Sequence, residues 1–233
     1  ARLTICGLGV YEAYLNGKKL GEEYLLPGFH AYDFWQQYQT FDLDGLLQPG
    51  ENVLSVMLGN GWYKGRFGFD GNEGERYGSR FLLIAQVEEA GNILTATDPS
   101  WKCTVGPLGD NNIYDGEFYD GSKEIPGWNE KNGEASWEDA VLAGEGKEKL
   151  SPRLSPPITS QETFPVAEVI HTPAGETVFD FGQEVTGWVE FVNRAPKGAK
   201  LIIQHGEILQ EANFYTENLR SATATYTYIS SGK

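Results

Sequence analysis

The chain has 233 residues, with 18 Lys and Arg against 33 Asp and Glu, a net charge of −15. That sign disfavours nucleic acid and anionic membrane surfaces as partners, since both need a basic face, and no apolar run approaches the length of a membrane-spanning helix. Twenty-nine Gly and 11 Pro, with 13% aromatic residues, point to short strands joined by many turns.

Taken in order, Leu3-Thr4-Ile5 reads as a strand already under way. Tyr11 to Leu20 reads as a hairpin around Asn16-Gly17, two residues that tolerate the positive φ of a type I′ turn. Asp42 to Leu47 is a short helix candidate. Val53 to Leu58 follows a Pro-Gly turn and reads as a strand. Phe81 to Val87 and Ile93 to Thr97 form a second hairpin about Glu89-Ala90-Gly91-Asn92. Ser136 is placed to cap a helical turn over residues 137–142. Leu150 to Pro157 is rich in Pro and Ser, reads as an extended linker, and sets a domain boundary between 1–150 and 151–233. Beyond it, Thr177 to Phe181, Gly187 to Asn193 and Lys200 to His205 are short strands, with Ala195-Pro196-Lys197-Gly198 turning between the last two. Ala224 to Ile229 is a final strand whose partner is missing from the sequence order, so the second domain is expected to be incomplete at its C-terminus and the chain to be a fragment. The fold class is all-β, two β-sandwich or jelly-roll-like domains. Cys6 and Cys103 are too few for a disulfide framework, lack metal-site spacing and are expected as buried free thiols, with a single disulfide as the alternative. The first residues have no signal-peptide layout, and the compartment, cytoplasmic or secreted, is left open.

Little here speaks for catalysis within the chain. His30, His171 and His205 are the histidines, no Gly-x-Ser-x-Gly elbow surrounds a serine, and Gly59-Asn60-Gly61 matches no phosphate-binding fingerprint. No catalytic residue is assigned. The stretch from Leu58 to Phe69, continuing to Arg80, sets Trp62, Tyr63, Phe67, Phe69 and Tyr77 among glycines and arginines. Such aromatics ordinarily fill a core corner. They also suit a sugar, whose C–H face stacks on rings while Asn, Arg and carboxylates take its hydroxyls. Asn60, Trp62, Tyr63, Arg66 and Glu117 are the sugar-binding candidates. Residues 110–139 hold nine acidic and two basic side chains. This is ordinarily a solvated loop, but clustered carboxylates also suit calcium, with Asp115 and Asp120 as ligands, although no EF-hand spacing is present. No cofactor is otherwise required.

Residues 7–66 (Gly7 to Gly21, Leu26-Pro27-Gly28, Tyr38 to Asp42, Gly50-Glu51-Asn52 and Leu58 to Gly65), with Ile113 to Asp120 and Trp128, resemble the N-terminal β domain of bacterial α-L-rhamnosidases, glycoside hydrolase family 78. Residues 158–226 resemble the concanavalin-like domain of the same enzymes, through Phe179 to Trp188, Gly206 to Leu209 and Asn218 to Ala222. Glu184 departs from the Asn that family members commonly carry there. The resemblance implies an inverting enzyme for terminal α-L-rhamnose, with rhamnose-containing glycans or glycosides as partners. Its acid and base would lie in an (α/α)₆ barrel outside these residues, so that barrel is a second expected partner and this chain alone is expected to be inactive. The resemblance also implies that a calcium-dependent rhamnose-binding module is the alternative function.

Overall fold

The computed structural model describes residues 1–67, 74–144 and 147–232. The chain opens with β1 (Arg2–Leu8), β2 (Val10–Leu15), β3 (Lys18–Lys19), β4 (Gln36–Asp42), β5 (Leu54–Gly59), a one-turn helix α1 (Gly61–Lys64), β6 (Leu82–Glu89) and β7 (Asn92–Ala96). Then come β8 (Lys102–Cys103), β9 (Leu108–Asn112), β10 (Gly116–Asp120), β11 (Glu138–Asp139) and β12 (Leu150–Pro152). The remainder supplies β13 (Glu168–His171), β14 (Thr177–Asp180), β15 (Lys200–Gln204), β16 (Ile208–Gln210), β17 (Asn213–Tyr215) and β18 (Thr225–Ile229).

Two sheets, ordered β12-β4-β1-β6-β7 and β3-β2-β5, enclose the main core. Strand β1 lies between β4 and β6 and is antiparallel to both, so Leu3 sits opposite Phe41 on one side and Val87 on the other. Alternate side chains of a strand point to opposite faces. Leu3 and Ile5 therefore join Tyr11, Ala13 and Leu15 of β2 and Ala85 and Val87 of β6. Cys6 and Leu8 point the other way, to Tyr32 and Tyr63. Each fully buried Leu or Ile contributes about 1.5–3 kcal/mol. The Asn16-Gly17 turn forms as expected, with φ of 51° and 83°, and Leu15 pairs with Lys18. The β6–β7 hairpin likewise turns through Ala90 and Gly91.

A further sheet, β15-β18-β10-β9, takes strands from both sides of residue 150. The last strand, expected without a partner, is an inner strand here. It runs antiparallel to β15 and parallel to β10, with Tyr228 beside both Leu201 and Tyr119.

Other local expectations change for identifiable reasons. Gly187 to Asn193 joins no sheet among the described residues. Its Trp188 packs on Tyr24 (ring centroids 4.4 Å apart) and Phe191 on Tyr228 (6.3 Å). Residues 137–142 are not helical, because Glu138 and Asp139 pair with Cys103 and Lys102. Asp42 to Leu47 is a turn, closed by the Asp44 N–H to Asp42 Oδ1 (2.9 Å) and the Leu46 N–H to the Leu43 carbonyl (3.0 Å), the local competition that short acidic side chains offer a helix. The proline-rich stretch is extended, as its prolines require, but it is pinned rather than free. Leu150–Pro152 pair in parallel with β4, the Leu154 N–H reaches Gln37 Oε1 (2.8 Å), and Arg153 bridges to Glu23. Cys6 is buried, and burial pushes its thiol pKa up to about 12, whereas Cys103 is exposed on the short β8–β11 ribbon.

Candidate functional site

Strand β5 ends against β9 with no room for a side chain: a Cβ on Gly59 would lie 2.3 Å from Asn111 Nδ2. The close approach lets Asn60 enter a network of amides and carboxylates. Its N–H donates to Asn111 Oδ1 (2.6 Å). Its Nδ2 donates to Asp110 Oδ1 (2.6 Å) and Asn112 Oδ1 (3.2 Å). Asn112 Oδ1 also accepts the Arg66 N–H (3.1 Å), while Asn112 Nδ2 donates to Asp115 Oδ2 (3.3 Å).

Arg66 carries this network across to the second domain. Its guanidinium grips Asp115 in bidentate fashion, with Nε donating to Oδ2 (2.8 Å) and Nη2 to Oδ1, and Nη2 also donates to the Ser221 carbonyl (2.7 Å). The guanidinium holds the Asp115 carboxyl below the usual carboxylate range. The same turn is clamped by backbone: the Ala224 N–H donates to the Tyr114 carbonyl (3.0 Å), and the Thr225 N–H (2.8 Å) and Thr223 Oγ1 (3.0 Å) donate to the Asp115 carbonyl.

The aromatic candidates divide by face of α1. Tyr63 points inward, edge-on to Tyr32 (5.3 Å), in the second core cluster. Trp62 is half-buried beside the exposed Phe29 (6.1 Å). Phe67 meets Phe29 (5.9 Å) and stacks on Tyr77 (6.2 Å, 20° between planes). Phe69 lies outside the described residues. Much of this cluster is thus a packed corner, with Trp62, Phe29 and Phe67 along its outer rim.

The remaining candidates stand elsewhere. Glu117 lies on β10, where burial, with the Glu12 charge, pushes its carboxyl up. Asp120 ends β10 and accepts from the Ser122 N–H (3.1 Å) and Oγ (2.6 Å), which hold its carboxyl down. Asp115 and Asp120 are thus at opposite ends of one strand, roughly 16 Å apart at about 3.3 Å per residue. Calcium takes six to eight oxygens. The oxygens around Asp115 already accept amide N–H groups and a guanidinium, and a cation would have to displace Arg66. Among the described residues no three His, Cys, Asp or Glu side chains gather as a metal site. This arrangement does not fit calcium.

The structure therefore brings Asn60, Arg66 and Asp115 together at the seam and leaves Trp62, Tyr63, Glu117 and Asp120 in other neighbourhoods. Asn111, Ser221 and Thr223 belong to the seam; the first two fall within stretches the sequence marked, without a binding role, and Thr223 went unmarked. The Asn218 to Ala222 run was visible as a motif, but nothing in it points to Arg66.

Sheets and seam define a two-domain all-β protein. A family profile described as the α-L-rhamnosidase N-terminal domain matches residues 1–162, and one described as the bacterial α-L-rhamnosidase concanavalin-like domain matches residues 170–233. The chain belongs to the bacterial α-L-rhamnosidase family. Among curated relatives, an α-L-rhamnosidase of Streptomyces avermitilis is 33% identical over the whole chain, and one of Formosa agariphila is 34% identical over 87% of it. The chain spans only 23% and 22% of their lengths. Among solved structures, the native α-L-rhamnosidase of Aspergillus terreus superposes with a TM-score of 0.94 at 34% identity, over all of this chain and 28% of that one. The Streptomyces avermitilis enzyme complexed with L-rhamnose gives 0.92 at 34% identity, over all of this chain and 23% of that one.

Proposed function

We propose that this chain is the non-catalytic β portion of an α-L-rhamnosidase, which supports a catalytic (α/α)₆ barrel carried elsewhere in the same polypeptide. The observation that carries this reading is an imbalance in burial. Among the described residues no hydrophobic side chain beyond Val87 is buried, whereas Phe179, Val185, Phe191, Val192, Ile202 and Ile208 are all exposed. An apolar surface of that extent marks an interaction face, and the relatives have about three quarters of their length available to cover it. The barrel would supply the acid that protonates the departing aglycone oxygen and the base that activates water on the opposite face. The chain alone is expected to leave an aryl α-L-rhamnoside intact and to enhance the fluorescence of an apolar dye, less so after Phe191→Lys with Ile202→Lys. Turnover by the chain alone, abolished by Glu117→Ala, would overturn the reading.

A second reading, sugar binding by the chain itself, is favoured by the relative solved with L-rhamnose. The rim of Trp62, Phe29 and Phe67 beside Asn60 would supply its platform. Such a module holds substrate near the barrel and raises its effective concentration. Calorimetric titration of L-rhamnose, with calcium and then with a chelator, tests it. Saturable heat lost in Trp62→Ala supports a module on that rim. Silence up to millimolar sugar leaves the scaffold as the function.

A further inference from the structure

We infer that residues 187–193 are a docking strand: an apolar strand of the same polypeptide, from outside residues 1–233, pairs with them and builds a second sheet. Gly187-Trp188-Val189-Glu190-Phe191-Val192-Asn193 is rich in the β-branched and aromatic residues that strands favour. Yet among the described residues none of its backbone N–H or C=O groups hydrogen-bonds to other backbone, and it belongs to no sheet. Its large apolar side chains stay exposed as well, Phe191 at 47% and Val192 at 80%. Turns and loops are built from Gly, Pro, Asn, Asp and Ser rather than from such side chains.

The segment is already held where a strand of a second layer would lie. Phe191 packs on Tyr228, and Asn193 Nδ2 donates to the Oγ of the fully buried Ser230 (2.9 Å). These two residues, of one parity, thus face the sheet β15-β18-β10-β9. They meet it on the side where Leu201, Tyr228 and Tyr119 stand in a row. Trp188, of the other parity, reaches Tyr24 of the first domain instead. That alternation is the one a strand imposes. A β-sandwich sets two sheets face to face, about 10 Å apart. Here the segment supplies one strand of the second layer, and its own edges are open.

Charge and chain length choose the occupant. A second copy is disfavoured, because each chain carries −15 and Glu190 lies at the centre of the segment. In an antiparallel pair of copies Glu190 would stand opposite itself, and like charges directly opposite destabilise a ladder. A strand of the same polypeptide has no such conflict. The curated relatives have about three quarters of their length outside the region this chain matches, and a tethered strand arrives at a high effective concentration. Main-chain hydrogen bonds would hold it, and apolar residues at alternate positions would cover Phe191 and the Leu201–Tyr228–Tyr119 row. This inference rests on the scaffold reading and gives it a definite contact.

Amide hydrogen exchange, followed by mass spectrometry, tests it on the 233-residue chain and on the polypeptide that also carries the barrel. Residues 187–193 are expected to exchange fast in the first and roughly a hundredfold more slowly in the second. Val189→Pro and Glu190→Pro each remove a donor, and neighbouring residues of a strand donate to opposite edges. One of the two variants should therefore restore fast exchange in the longer polypeptide while β1 and β6 stay protected. Fast exchange at 187–193 in both wild-type proteins overturns the docking strand. If the longer polypeptide then no longer binds the apolar dye, the scaffold stands without it. If the longer polypeptide binds dye as strongly as the 233-residue chain, the scaffold reading falls too. Protection that survives both variants, or that appears in the 233-residue chain and grows with its concentration, also overturns the inference, the latter in favour of a second copy.

Discussion

At His30, burial and chemistry conflict. The ring is 5% exposed, it lies 3.8 Å from the Tyr32 ring, and neither of its nitrogens has a hydrogen-bond partner among the described residues. Burial lowers its pKa from 6.5 to about 4. The unfolded chain therefore binds a proton that the folded chain refuses, and stability falls as pH drops from about 6.5 to about 4. The loss from this group should be about 2 kcal/mol once solvent screening is allowed for. Urea midpoints at pH 7.5 and pH 4 will converge more closely in His30→Phe than in the wild type, and an equal pH slope in both would refute this. Arg66 is the second residue on which much depends. Arg66→Met leaves the half-buried Asp115 carboxylate without its guanidinium and should cost about 1–3 kcal/mol at pH 7. The folded pKa of Asp115 is depressed, so this stabilisation is present above its unfolded value of about 3.9 and is lost as pH falls below it. The difference in midpoint between variant and wild type should therefore shrink by pH 3.

Among the elements, β10 and β18 carry the join. Their parallel register is possible because Gly116, at φ 92°, meets β18 with no side chain: a Cβ there would lie 2.3 Å from the Thr225 carbonyl oxygen. Backbone cannot yield as a flexible side chain can. Gly116→Ala should destabilise by about 2–4 kcal/mol and should raise hydrogen exchange at residues 223–229 ahead of β1 and β6. Uniform exchange across the chain would contradict this. The β1–β6 pairing, by contrast, lies in a core with its own sheets and should keep its protection.

For the whole molecule, the shared sheet argues against separable modules. The family boundary falls between residues 162 and 170, yet a chain ending at 162 would leave β10 with one edge open and the Tyr114 and Asp115 carbonyls without their partners. An exposed strand edge invites pairing between molecules. Such a shortened chain is expected to aggregate or to unfold at lower temperature than the 233-residue chain, which should itself melt in one transition. Two well-separated calorimetric transitions in the longer chain would show that the join is weak.

Local features were legible in the sequence because their causes are local. The Asn16-Gly17 turn needs positive φ, the alternation of β2 places Tyr11, Ala13 and Leu15 on one face, and the prolines near residue 152 demand extension. Family membership was legible too, since several motifs occur in a fixed order. What the sequence could not determine is which strand edges meet. Arg66 and Ser221 are 155 positions apart, and Tyr119 and Tyr228 are neighbours only because β10 and β18 pair in parallel. No periodicity records such a pairing. It depends on which edges are left free once the first core has formed, and so the seam that joins Arg66, Asp115 and Ser221 was decided by the tertiary structure alone.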